Sequence, residues 1–150
     1  MSEISIEIED IESAEASKLI DELSEQLERI TGNNGKGSFD SSDMKNQRAA
    51  FVIARIDGDA VGCGGFRELS DETAEIKRMY ARTRSIGTGK KILKFIEELA
   101  KDYGYHRTVL ETRSCNQNAV DFYLSQGYVV INNYGKYVNR EEAICFQKKL

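Results

Sequence analysis

The chain has 150 residues, of which 40% are apolar and 31% charged, a balance that supports one hydrophobic core and excludes a disordered polyelectrolyte. No apolar run approaches the roughly 18–20 residues that span a bilayer, and the start Met1-Ser2-Glu3-Ile4 has no basic-then-apolar secretory pattern. A net charge of −4 argues against a general nucleic-acid binder; it would mildly favour cationic substrates but is too small to decide the matter. Cys63, Cys115 and Cys145 are widely spaced and odd in number, so they read as reduced thiols of a cytoplasmic chain with no metal-ligand spacing, and a single histidine, His106, gives a histidine-centred triad little material.

Residues 4–9 alternate apolar and polar side chains and predict a first strand. Ala16, Leu19, Ile20, Leu23, Leu27 and Ile30 then recur at helical spacing behind Ser13 as cap, predicting an amphipathic helix over 13–30. Residues 31–47 are polar and glycine-rich, a length of loop that is usually functional or mobile. Substrate lid and plain disorder are both open readings. Strands are predicted at 50–56 and 60–69, with Asp57-Gly58 between them as a hairpin signal, and again at 73–81. A helix follows with Ile92, Leu93, Ile96, Leu99, Ala100 and Tyr103 on one face, stopped at Gly104. Residues 108–112 predict a short strand. Ser114 and Gln117 fit a capping box that opens a helix through Gln126, ended by Gly127. Two last strands fall at 128–131 and 143–146, with no repeat or linker dividing residues 1–150, which are read as a single domain.

The segment Arg84-Ser85-Ile86-Gly87-Thr88-Gly89-Lys90-Lys91 joins the strand at 73–81 to the following helix. Glycines there let backbone N–H groups approach a ligand, and the helix N-terminus adds partial positive charge, a combination suited to a pyrophosphate. It is not a P-loop, because Arg84 stands where the first glycine belongs and Lys91 where Ser or Thr does. Nor is it a dinucleotide fingerprint, since Ile92 follows in the last position, and Gly62, Gly64 and Gly65 fail likewise at Arg67. Lys90, Lys91 and Lys94 read either as partners for a further phosphate or as a solvated helix face.

The pattern R-x-x-G-x-G at Arg84, Gly87 and Gly89, Glu75-Ile76-Lys77-Arg78-Met79-Tyr80 on the preceding strand, Leu110-Glu111-Thr112, and Asn116-Gln117-Asn118-Ala119-Val120-Asp121-Phe122-Tyr123 leading to Gly127-Tyr128 together resemble the GNAT superfamily of acyl-CoA-dependent N-acetyltransferases. The resemblance runs from about Gly62 to Leu150. It implies an α/β (α+β) domain with a mixed, mostly antiparallel sheet of about seven strands, splayed between the fourth and fifth and flanked by helices. It further implies acetyl-CoA as cosubstrate and no metal. Carried over by position, Met79, Tyr80 and Ala81 would meet the pantetheine arm through backbone groups, and the amides of Arg84, Ser85, Ile86, Gly87, Thr88, Gly89 and Lys90 would hold the pyrophosphate. Asn116 would lie near the pantetheine. Tyr123 stands where the family places the acid that protonates the departing sulfur, and Glu75 matches a position used as a base in some members. The chain departs from the family in having no proline in the strand-to-loop link, which is also about two residues shorter than the common form.

Bulky neighbours Phe122 and Val120 leave a core-packing role for Tyr123 open, and Lys77 could pair with Glu75 and make it structural. Strict alternation puts Glu75, Lys77 and Met79 on one face of the strand and Ile76, Arg78 and Tyr80 on the other. Glu111 is a weaker candidate for the base and reads more as a residue packed at a strand end, Cys115 lacks an activating base, and His106 reads as an exposed residue before a strand. Tyr134 and Tyr137 are candidates to line an amine pocket. The expected activity is acetyl transfer to a primary amine of unidentified kind, with no nucleic-acid or membrane partner and, because family members are often dimers, a homodimer. A non-catalytic acyl-CoA sensor of the same fold and a nucleotide-binding interaction module are the alternatives.

Overall fold

In the computed structural model, which describes residues 3–35, 41–82 and 87–150, the strands are β1 (Ile4–Ile8), β2 (Ala50–Ile56), β3 (Asp59–Ser70), β4 (Thr73–Ala81), β5 (Arg107–Arg113), β6 (Val129–Ile131) and β7 (Ala143–Lys149). The helices are α1 (Ala14–Thr31), α2 (Thr88–Asp102) and α3 (Gln117–Ser125). One sheet takes the strands in the order β1-β2-β3-β4-β5-β7-β6. Neighbours are antiparallel except β4 and β5, which run parallel. The expected mixed sheet is therefore present. No helix among the described residues is long and apolar enough to cross a membrane.

Local chemistry explains most boundaries. The Ser13 side chain accepts from the Ala16 N–H at 3.2 Å and starts α1. Asp57 and Gly58 both adopt left-handed φ, 53° and 85°, as a tight hairpin turn between β2 and β3 requires. The helix before residue 128 begins later than the capping box predicts. Ser114 still donates its N–H to Glu142 O at 2.8 Å, so the chain remains tied to the C-terminal hairpin there, and Asn116 is the cap, accepting from Ala119 N–H.

Two cores sandwich the sheet. On one face Ile92, Leu93 and Ile96 of α2, with Val120 and Tyr123 of α3, pack over Val52, Phe66, Ile76, Leu110 and Phe146. On the other, Ile11, Ala16 and Leu19 pack over Phe51, Ile53 and Cys63, with Met44 beside them. Met44 belongs to a short 3-10 turn, Ser41–Lys45, so the second half of the segment expected as a featureless loop is anchored in the core. Residues 36–40 of that segment lie outside the described residues.

The glycines of β3 have a packing role. A methyl group at Gly64 would sit 2.5 Å from Met79 Sδ and 2.8 Å from Ile96 Cδ1, so α2 and β4 press directly on the strand backbone. Opposite them β4 carries a bulge. Gly65 pairs with Lys77 but Cys63 pairs with Tyr80, two steps on β3 against three on β4, and Arg78 takes φ 59° to absorb the extra residue. The bulge overturns the strict alternation expected for this strand. Met79 joins Ile76 on the α2 face, whereas Arg78 and Tyr80 turn to α1, where they meet Ser24 and Glu22.

Candidate active site

Parallel pairing of β4 with β5 covers only Thr73 to Glu75 against Arg107 to Val109, and then the strands part. β5 stays paired to β7 through Arg113. Beyond Glu75, β4 has no strand partner on its β5 side among the described residues, so its backbone N–H and C=O groups on that side face a cleft. The cleft has a volume of about 410 Å³ and is lined from both strands, from the C-terminal half of α1, and from the starts of α2 and α3.

Met79, Tyr80 and Ala81 line it from β4, Gly87, Gly89 and Lys90 from the N-terminus of α2, and Asn116 and Tyr123 from α3. Arg84, Ser85 and Ile86 lie outside the described residues. Gly87 has φ 70°, a left-handed conformation that turns the chain into the helix. Among the described residues, a methyl group at Gly87 would find nothing within 4 Å, and one at Gly89 would only touch Phe122 at 3.6 Å. Neither glycine is demanded by packing, in contrast to Gly64. The first turn of α2 carries no acid, so its free N–H groups and dipole present a site for an anion. The Thr88 side chain is fully buried and faces Gly62 of β3. Lys91 and Lys94 are exposed, and of the three lysines Lys90 alone lines the cleft.

Tyr123 is 8% exposed. Its ring packs edge-on against Tyr128 and Phe122, with centroids 5.7 and 5.1 Å away. It is thus a core aromatic that also forms cleft wall. Burial pushes its phenol pKa well up, so the group holds its proton through the neutral range.

Glu75 is only 1% exposed and both its oxygens are engaged. Oε1 accepts from Arg67 Nε at 2.8 Å, while Oε2 accepts from Tyr134 O–H at 2.6 Å and lies 3.6 Å from Lys77 Nζ. Lys77 Nζ also donates to Tyr137 O–H at 3.1 Å. Burial pulls the Lys77 ammonium below its usual range against the opposing pull of Glu75. Asn133 stiffens the covering segment by donating to the carbonyls of Tyr137, Arg140 and Ala143. Arg67 was not singled out from sequence, though a signal existed: it stands directly across the β3–β4 hairpin from Glu75, where opposite charges attract.

Glu111 differs. It lines the cleft from β5, its Oε2 is buried with no hydrogen-bond partner among the described residues, and burial raises its pKa despite Arg113 and Lys77 nearby. Burial of this kind makes a carboxyl hold a proton more readily than an exposed one does. His106 is exposed, as expected, with Nδ1 3.6 Å from Glu72.

Residues 9–128 match the model of the acetyltransferase (GNAT) family. The chain is 26% identical over 136 residues to an IAA acetyltransferase of Azospirillum brasilense, covering 89% of each protein. Among solved structures, an acetyltransferase from Streptococcus agalactiae superposes with a TM-score of 0.79 at 18% identity, covering 98% of both chains. A GNAT family acetyltransferase from Elizabethkingia anophelis with acetyl-CoA bound superposes with a TM-score of 0.72 at 15% identity, again over 98% of both.

Proposed function

The chain belongs to the acetyltransferase (GNAT) family, and on that premise we propose that it transfers an acetyl group from acetyl-CoA to a primary amine by direct attack in a ternary complex. The observation that carries this reading is the parting of β4 from β5 beside the α2 N-terminus, with Tyr123 in the same cleft wall. The open edge of β4 at Met79 to Ala81 suits an extended amide-bearing arm, and the backbone of Gly87 to Lys90 suits its diphosphate. Asn116 lines the same cleft from the start of α3.

Glu111 takes the proton that the attacking nitrogen must lose. The cations around it, Lys77 and Arg113, also lower the pKa of a bound ammonium, so the neutral amine forms more readily. A β4 amide near Met79 donates to the carbonyl oxygen as negative charge grows there. The new C–N bond forms as the C–S bond breaks, and Tyr123 gives its proton to the departing sulfur. Glu75, with every partner a donor, acts in this scheme by holding Arg67, Lys77 and Tyr134 in place, and not by taking a proton. That assigns the base to β5 in place of the β4 position expected from the resemblance.

Release of free thiol from acetyl-CoA, measured across a panel of primary amines, tests the reading. Amine-dependent release is expected. Tight acetyl-CoA binding with no release for any amine would favour a sensor domain instead, and preferential binding of ATP in calorimetry would favour a nucleotide-binding module. We further propose that the protein works in the cytoplasm and, as members of this family often pair, that it forms a homodimer.

A further inference from the structure

Resting on the acetyltransferase reading, the class of acceptor follows from which face of the sheet each part of the cleft belongs to. α2 and α3 cover one face and α1 the other, and the parting of β4 from β5 joins the two. Gly87 to Lys90 open α2, Asn116 caps α3 and Tyr123 lies within it, so the cosubstrate takes the α2 and α3 face. Along β5, Leu110 packs under those helices, and alternation turns its neighbour Glu111 to the α1 face. An acceptor nitrogen that gives its proton to Glu111 arrives from the α1 side.

What lies on that side is hydrocarbon. The apolar stripe of α1 begins at Ala16, but only Ala16, Leu19 and Ile20 of it pack into the sheet core. Leu23, Leu27 and Ile30 continue the stripe at helical spacing, belong to neither sheet core, and line the cleft. Their exposure grows from 7% at Leu23 to 38% at Ile30. Glu25, Glu28 and Arg29 of the same turns are exposed, and none of them lines the cleft. Beyond the helix, Asn33 Oδ1 accepts from Gly35 N–H at 2.8 Å, and a methyl group at Gly35 would stand 3.0 Å from Leu27 Cδ1, so the chain folds back onto the end of this wall. The cations on the β4 side are engaged within the protein, Lys77 with Tyr137 and Glu75, and Arg78 with Ser24.

We propose that the acceptor is a primary amine with an apolar body, whose nitrogen meets Glu111 while its hydrocarbon lies along Leu23, Leu27 and Ile30. Such a body removes the wall from water as it binds. A second ammonium at its far end would lose hydration there and gain no partner from the wall.

The test uses the full chain in a free-thiol release assay at saturating acetyl-CoA. The probes are straight-chain monoamines from ethylamine to hexylamine, phenethylamine, and the diamines putrescine and cadaverine, matched in length to butylamine and pentylamine. Along the monoamines kcat/KM should rise about three- to fourfold per methylene, mainly through KM, because the wall holds substrate and transition state alike. Butylamine and pentylamine should exceed their matched diamines by about 10-fold or more. Leu27→Asn and Ile30→Asn should each flatten the series, with thermal melting as the check on folding; the exposed position of Ile30 keeps the comparison available where Leu27→Asn folds poorly. A flat series in the parent, preference for the diamines, or an unchanged slope in folded variants overturns the proposal. A flat series together with a lower molar mass of Ile30→Asn in light scattering would assign the wall to a second copy of the chain and overturn it too. Release with some amines but no dependence on apolar length leaves the acetyltransferase reading standing, whereas no release with any of them removes both.

Discussion

Replacing Glu75 with Gln separates a scaffold from a catalytic base. Two groups donate to this carboxylate, Arg67 Nε at 2.8 Å and Tyr134 O–H at 2.6 Å, and Lys77 Nζ forms an ion pair with it at 3.6 Å. Glutamine offers one oxygen and one NH2, so at least one donor would face another donor in a site with almost no solvent. Removing one side of a buried ion pair costs about 3–5 kcal/mol. Arg67 keeps 26% of its side-chain surface in water, which screens part of that loss, and we expect about 2–3 kcal/mol. For a chain of this length that corresponds to a Tm lower by roughly 6–9 °C. Urea titration and thermal melting of the variant and the parent measure it directly. A Glu75→Gln protein within about 0.5 kcal/mol of the parent, but with the acid limb of its kcat/KM profile gone, would refute the scaffold argument and return the base to β4.

Glu111→Gln should show the reverse pattern, with kcat lower by about 100-fold or more and stability unharmed. The sign of its pH dependence follows from the raised folded pKa. Between the unfolded value near 4.5 and that raised value the folded state holds a proton the unfolded state has lost, so stability falls as pH rises through this window. The variant lacks this term, and its stability relative to the parent should improve with rising pH; a constant difference from pH 4 to 8 would contradict it. Tyr123→Phe should cut turnover by about 100-fold while leaving acetyl-CoA affinity within twofold or so, as calorimetry would show, because the ring packing is preserved and only the proton is lost. Gly64→Ala should destabilise by about 1–3 kcal/mol, read by urea unfolding, because the added methyl would meet Met79 and Ile96 at sub-contact distances; a neutral result would mean that α2 can move away from β3.

Residue order and periodicity were enough to place every helix and strand in chain order, since apolar spacing of 3.6 or 2 reports which face is buried whatever the partner is. Asp57-Gly58 gave the hairpin because few residue pairs tolerate two left-handed conformations in succession. Gly87 was legible for the same kind of reason, since it takes a left-handed φ of 70° where the chain turns into the helix. What the periodicity argument could not survive was a single extra residue. The bulge at Arg78 shifts the two-residue period, moving Met79 to one face and Arg78 to the other.

The cap at Asn116 was decided by a hydrogen bond from Ser114 to Glu142, 28 positions along the chain, and no local pattern contains that bond. The contrast between the surroundings of the two glutamates likewise arises only in three dimensions. Glu75 is enclosed by a neighbouring strand and by Tyr134, 59 residues away, while Glu111 keeps an unmet oxygen beside the cleft. Sequence fixes which groups can carry charge and which segments are amphipathic, because both depend on side chains and near neighbours. Which carboxylate is satisfied depends on distant donors brought within 3 Å, and only the folded chain supplies those distances.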